Sequence, residues 1–299
     1  MNGRTDMHTV SLFSSTFGKA VLLLIAVFMS LSVLLANRGP LFYFDTGGYF
    51  SQGNAALKLV LNEKRPGGGA QGNGAQEEDK ATSGSRSMIF AVLMAVFWRA
   101  DSLYAIALIN AAAAALMVWL VARGVRRHVV RPPDLAVLAA IPVIAAATTS
   151  LPFYVAYLMP DMFAPILLAI IAVLVAMGRD MNRYELLLAM ALATLAIVVH
   201  PSHLAIAGLM IPIVAIAAVL RPGPRRWLPL GLVVLMVLIG ITERKVFEFA
   251  AQTVADKEVV YTPHITARLI VDGPGLDYLN ENCPNPEIAR SIPLPPKPR

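Results

Sequence analysis

Charge is what this chain has least of. Of its 299 residues only 15% are charged while 57% are hydrophobic, and the mean hydropathy is +0.64. A soluble domain carries about 25% charged residues, so this chain has too little polar surface to cover one water-facing core. Cysteine is nearly absent too: Cys283 stands alone, which excludes an intrachain disulfide, and no Cys/His cluster has zinc spacing. There is no glycine-rich phosphate loop between the apolar runs of the kind that holds a soluble nucleotide. Basic residues are not interleaved with aromatics, so the net charge of +6 does not describe a nucleic-acid surface.

What is present is a series of long apolar runs. Stretches of about 17–25 apolar residues are the length of a membrane-spanning helix. Such runs lie at 19–37, 102–122, 135–151, 161–178, 185–200, 203–220 and 227–242. The expected fold is therefore all-α, a polytopic helical membrane protein with about seven transmembrane helices. The first run is long for a signal-peptide core and is followed by a poor cleavage site, so it reads as an uncleaved helix. Met88–Trp98 is apolar but too short to cross at about 1.5 Å per residue.

Arginine sets the expected orientation. Arg123 to Arg131, Arg179 to Arg183 and Arg221 to Arg226 are short basic loops. With 88–98 not spanning, all three fall on the side of the N-terminus, which the positive-inside rule makes cytoplasmic. The extracytoplasmic side then receives a long loop, 38–101, the turn around Tyr154 to Asp161, the turn His200-Pro-Ser-His203, and the segment 243–299. Residues 1–242 form the expected transmembrane domain. Within the long loop, 66–84 is low-complexity and expected to be flexible, flanked by candidate interfacial helices at 48–61 and 86–98. The segment 262–283 reads as two short helices around an Asp-Gly-Pro-Gly turn, and 292–299 as an extended proline-rich connector.

Against this apolar background four groups of polar residues stand out, each with two readings. Asp45 lies in Leu41-Phe-Tyr-Phe-Asp45-Thr-Gly-Gly-Tyr49-Phe, an aromatic stretch suited to the headgroup level. A carboxylate there binds a divalent cation, acts as a general base, or simply caps a helix. Asp161, after Pro160, either complements a helix N-terminus or marks a costly charge near the apolar region that needs a partner. His200 and His203 can share a metal or phosphate or relay a proton, or belong to an ordinary Pro-Ser turn. Arg86, between two serines, suits a phosphate group, or equally snorkels to lipid headgroups. All five residues fall on the extracytoplasmic face of a topology chosen from arginine counts alone.

The order of these elements resembles the GT-C superfamily of polytopic glycosyltransferases, which use polyprenyl-phosphate sugars. The resemblance covers roughly residues 19–220. It rests on Asp45-x-x-x-Tyr49 after the first span, on Ser85-Arg86-Ser87 before a short helix and a spanning helix, and on the Met159-Pro160-Asp161 turn. The second outer-loop acidic pair of many members is not found here. The resemblance implies that Asp45 is the catalytic base or metal-site residue. It also implies that Arg86 holds the lipid phosphate, and that Tyr49, Asp161, His200 and His203 line the substrate site. It implies a lipid-linked sugar and membrane lipids as partners, a divalent cation (magnesium or manganese) as candidate cofactor, and residence in a bacterial cytoplasmic membrane. Two other classes stand beside it. A transporter or flippase of lipid-linked or polar solutes would need polar residues along a path through the bilayer. A non-catalytic membrane subunit would use the segment 243–299 to bind a protein partner.

Overall fold

The computed structural model describes residues 16–61, 81–128, 135–256, 258–261 and 264–282. The stretches 66–80 and 292–299, on which a flexible loop and an extended connector are expected, lie outside the described residues.

The described chain is mostly helical. In order it forms α1 (Thr16–Ser30), α2 (Ser32–Ala36), α3 (Thr46–Val60), β1 (Ala81–Ser83), α4 (Met88–Arg99), α5 (Tyr104–His128), α6 (Leu135–Thr148), α7 (Leu151–Ala156), α8 (Phe163–Met177), α9 (Arg183–Val198), α10 (Pro201–Leu220), α11 (Leu228–Ala255), β2 (Glu258–Val260), α12 (His264–Val271) and α13 (Pro274–Asn282). Single 3₁₀ turns, Pro160–Met162 and Gly178–Asp180, extend α8 at both ends. β1 and β2 pair as a two-stranded sheet. Residues 81–83, the end of the stretch expected to be flexible, are thus strand.

Among the described residues three helical segments are long and apolar enough to cross a membrane: Tyr104–His128, Pro160–Asp180 and Pro201–Leu220. The other expected spans are helical but depart from the simple pattern. The first is divided between α1 and α2 at Leu31, α6 and α9 have 14 and 16 residues, and α11 runs on past residue 242. That run-on has a plain cause. Glu243-Arg-Lys and the residues after it are good helix formers without Pro or Gly, and the helix stops only where Asp256 takes a left-handed conformation (φ +50).

The chain divides into two compact units. One extends to Thr82 and resumes over Arg86–Val259; the other takes Ser83–Ser85 and resumes at Val260. In the second unit α12 and α13 meet at Gly273, whose φ of +107 is a turn conformation open to glycine.

The core of the first unit is built around α8, where Phe163, Ile166, Leu167, Ile170, Ile171 and Leu174 are buried. α5 presents Ala107, Ala111 and Ala114 on its buried face, small residues that let helices approach closely. The opposite surfaces stay apolar. On α10, Leu209, Ile213, Ile216 and Leu220 are all more than half exposed at helical spacing. A continuous exposed apolar stripe of that kind costs too much in water and fits a lipid-facing surface.

Candidate functional site

The site begins with the helix that follows the aromatic loop. Leu41 pairs with the segment after α7: its N–H donates to the Ala156 carbonyl (2.8 Å) and its carbonyl accepts from Leu158 N–H (3.0 Å). Thr46 tightens the loop by accepting from Tyr43 N–H at 2.8 Å and donating to the Leu158 carbonyl at 3.4 Å. This fastens the start of α3 beside the Met159–Asp161 turn.

Asp45 occupies the N-cap position of α3, yet its side chain makes no capping hydrogen bond. The capping alternative is therefore not realised. Its carboxylate instead accepts from Arg86 Nη2 at 2.8 Å. Both side chains are partly open, 42% exposed for Asp45 and 33% for Arg86. The Arg86 guanidinium also lies 5.9 Å from the Tyr49 ring centroid. A Cβ at Gly48 would stand 2.5 Å from Arg86 Cζ, so this glycine leaves room for the guanidinium across the first turn of α3.

Tyr49 is the buried floor of this arrangement. Its ring meets Phe90 of α4 edge-on at 5.1 Å. Burial pushes its phenol above the ordinary tyrosine range, Asp161 and Asp45 push the same way, and Arg86 opposes them. The phenol therefore stays protonated, as a hydrogen-bond donor. α4 is held against α3 at Gly53, where a Cβ would collide with the Ala91 carbonyl. Its N-cap Ser87 accepts from Phe90 N–H at 3.1 Å and donates to the Val198 carbonyl at 2.6 Å. That second bond brings the Arg86 segment to the end of α9, two residues before His200.

Asp161 is exposed in the 3₁₀ turn that leads into α8, and it acts electrostatically on both Tyr49 and His203. The two histidines lie together, ring centroids 4.9 Å apart, and each has local work. His200 caps α10, its Nδ1 accepting from Ser202 N–H at 3.2 Å. His203 is buried, and its Nδ1 faces the Ala196 carbonyl at 2.6 Å. A carbonyl only accepts, so Nδ1 carries the proton. The five polar residues expected on one face thus belong to adjoining segments, with Asp45, Arg86 and Tyr49 in mutual contact.

Further along the same helices, α3, α4 and the far half of α11 line a partly open cavity of about 280 Å³. Its wall is mostly apolar, with Leu59, Met88, Val92, Phe247 and Val254, and Gln52 is its polar member. A cation site fits poorly. Asp45 brings one carboxylate already shared with a guanidinium, and among the described residues no group of three or more His, Cys, Asp or Glu gathers.

Further residues complete the picture. Gly48 and Ser87, beside the residues singled out in the sequence, and Thr46, which carries no signal of its own, position the pair. At the other end of the helices Glu185 is buried and accepts from both Arg123 and Arg127, the latter at 2.6 Å. The signal for it was present, because Asn182-Arg-Tyr-Glu185 has the spacing of a capping box.

Fold and site together define a mostly helical protein with, among the described residues, three apolar helices able to cross a membrane and a partly open Asp–Arg pair at one helix end. Comparison with protein-family models, curated proteins and solved structures finds no match for this chain.

Proposed function

We propose that this protein is a membrane glycosyltransferase of the GT-C kind, moving a sugar from a polyprenyl-phosphate donor to an acceptor hydroxyl at the extracytoplasmic face of a bacterial cytoplasmic membrane. In this reading the chain has about seven spans, with a cytoplasmic N-terminus, α3 and α4 at the interface, and the segment 243–299 outside. The single observation that carries the proposal is the Asp45–Arg86 pair over Tyr49, left partly open, with a mostly apolar cavity lined from the same two helices, α3 and α4. A phosphate carrying a long hydrocarbon needs a cation and an apolar wall side by side.

The chemistry follows from the residues. The donor phosphate draws the Arg86 guanidinium by a charge-assisted, bidentate contact, which frees the Asp45 carboxylate. Asp45 takes the proton from the acceptor hydroxyl. The acceptor oxygen forms its bond to the anomeric carbon as the bond from that carbon to the phosphate oxygen breaks. The electron pair leaves with the phosphate, and Arg86 stabilises its charge. Tyr49 holds the guanidinium through its ring face.

The test is Asp45→Asn, compared with the native protein by glycan profiling in cells and by transfer from polyprenyl-phosphate sugars in proteoliposomes. Loss of transfer with normal membrane expression is expected. Unchanged transfer removes Asp45 as the base and favours a non-catalytic subunit.

A further inference from the structure

At the helix ends away from Asp45, three arginines border one shallow cleft of about 10 Å³ that glycosyl transfer does not use. Arg179 sits in the 3₁₀ turn after α8, Arg221 at the C-cap of α10, and Arg226 just before α11. With Val214, Ala218 and Pro229 they line the cleft.

Each arginine is steadied from behind. Arg179 Nη1 donates to the Pro222 carbonyl at 3.4 Å, and Arg221 Nη1 donates to the Val175 carbonyl at 3.3 Å. The Arg226 guanidinium lies 5.3 Å from the Trp227 ring centroid. A guanidinium has five N–H donors, so one such contact fixes the group and leaves donors over. The turn itself accommodates the cluster: Gly223 has φ +135, and a Cβ there would stand 3.0 Å from Arg179 Nη1. Two described acidic residues of the same end, Asp180 and Glu185, are engaged elsewhere. Asp180 faces His128 at 3.6 Å, and Glu185 is taken by Arg123 and Arg127. Among the described residues no carboxylate lines the cleft. Three positive charges on apolar walls repel one another and concentrate the field on whatever enters. A polyanion relieves that repulsion, and the guanidinium fork matches phosphate oxygens in geometry.

We propose that Arg179, Arg221 and Arg226 form a phosphate-binding site across the mouth of this cleft, taking the headgroup phosphate of an anionic phospholipid or free phosphate. The site is independent of the glycosyl-transfer reading. Its apolar wall offers a phospholipid a second contact that free phosphate lacks.

The test uses full-length protein in a neutral detergent. Its thermal midpoint is followed on titration with phosphatidylglycerol, with phosphatidylcholine of the same chains, and with sodium phosphate against sodium chloride at equal ionic strength. Phosphatidylglycerol should raise the midpoint, and the triple variant R179Q/R221Q/R226Q should weaken its apparent affinity about tenfold or more. Arg183→Gln should not, because Arg183 stacks on Tyr184 outside the cleft. A rise with phosphatidylglycerol alone supports the site and assigns it to lipid. A rise with phosphate as well supports it and assigns it to the free anion. Equal response to the two lipids with none to phosphate overturns the site, as does unchanged phosphatidylglycerol affinity in the triple variant. If the triple variant does not fold, Arg226→Gln alone decides. It leaves both backbone hydrogen bonds in place, and an unchanged affinity there overturns the site.

Discussion

The two ends of the helical unit treat their carboxylates in opposite ways. Glu185 is 4% exposed and is met by two guanidinium groups, while its other oxygen accepts from Asn182 N–H at 3.0 Å. Asp45 is 42% exposed and meets a single guanidinium at 2.8 Å. Both are ion pairs near a helix start, and both pair with an arginine far away in sequence. The difference lies in saturation. A buried carboxylate with each oxygen occupied has nothing left to offer a ligand, and removing it strands two cations. A half-open carboxylate with one partner keeps its basicity within reach of an incoming hydroxyl, and its loss costs the fold little. Saturation, more than the presence of a salt bridge, separates scaffold from site.

Exchanging the readouts breaks or sharpens that contrast. Asp45→Asn should lower transfer by about 10²–10⁴-fold, the range of a lost general base, with stability changed by no more than about 1 kcal/mol. Glu185→Gln should do the reverse. Breaking a buried pair costs roughly 3–5 kcal/mol, and the partly exposed arginines put this case at the low end. Its thermal midpoint in detergent should fall well below that of Asp45→Asn. If both variants lose stability alike, the two ends do not differ in kind.

Gly47 and Gly48 give a finer version of the same test. Both lie in the first turn of α3, and in a helix Ala is favoured over Gly by about 1 kcal/mol. A Cβ at Gly47 meets nothing within 4 Å, while one at Gly48 falls 2.5 Å from Arg86 Cζ. The Arg86 end is flexible and can give way, so neither variant should unfold. Gly48→Ala should push the guanidinium off Asp45 and lower transfer by about tenfold, the effect of one displaced charge contact. Gly47→Ala should keep activity. Equal activity in the two variants removes Arg86 from the site.

Much of this arrangement can be read from the chain, because hydropathy and helix length obey the same periodic geometry. Met88–Trp98 reads as a short apolar helix, and α4 covers Met88–Arg99. The short helix expected over 48–61 is found as α3, Thr46–Val60. The two short helices around Asp-Gly-Pro-Gly are α12 and α13. What could not be read depends on contacts between distant segments. Arg86 reaching back to Asp45 spans 41 positions, and Ser87 reaching Val198 spans 111; no local pattern encodes either. Arg123 and Arg127 read only as a topology signal, because their partner Glu185 lies on another helix. The histidine turn is a different case. Its spacing allowed a metal or a relay, but His200 serves as a helix cap and His203 as a buried tether to Ala196. The local roles of such residues compete with chemistry, and spacing alone does not say which wins.

The smallest effects should come from the two caps, one at each end. Asn182 caps α9 by accepting from Tyr184 and Glu185 N–H at 3.0 Å each, all within one helical turn. Ser87 caps α4 but also holds Val198, on a different helix. Losing a cap costs about 1 kcal/mol, and each alanine variant should lower the thermal midpoint by a similar small amount. Their consequences for transfer should diverge. Asn182→Ala loosens a helix start far from the pair and should leave turnover as it is. Ser87→Ala releases the residue next to Arg86 from α9, so the guanidinium loses its fixed approach to Asp45. A fall of a few-fold in transfer is expected, of the size that a misplaced binding group produces rather than a missing one. Equal transfer in the two cap variants, at equal midpoints, would mean that the hold on Val198 does not position the pair.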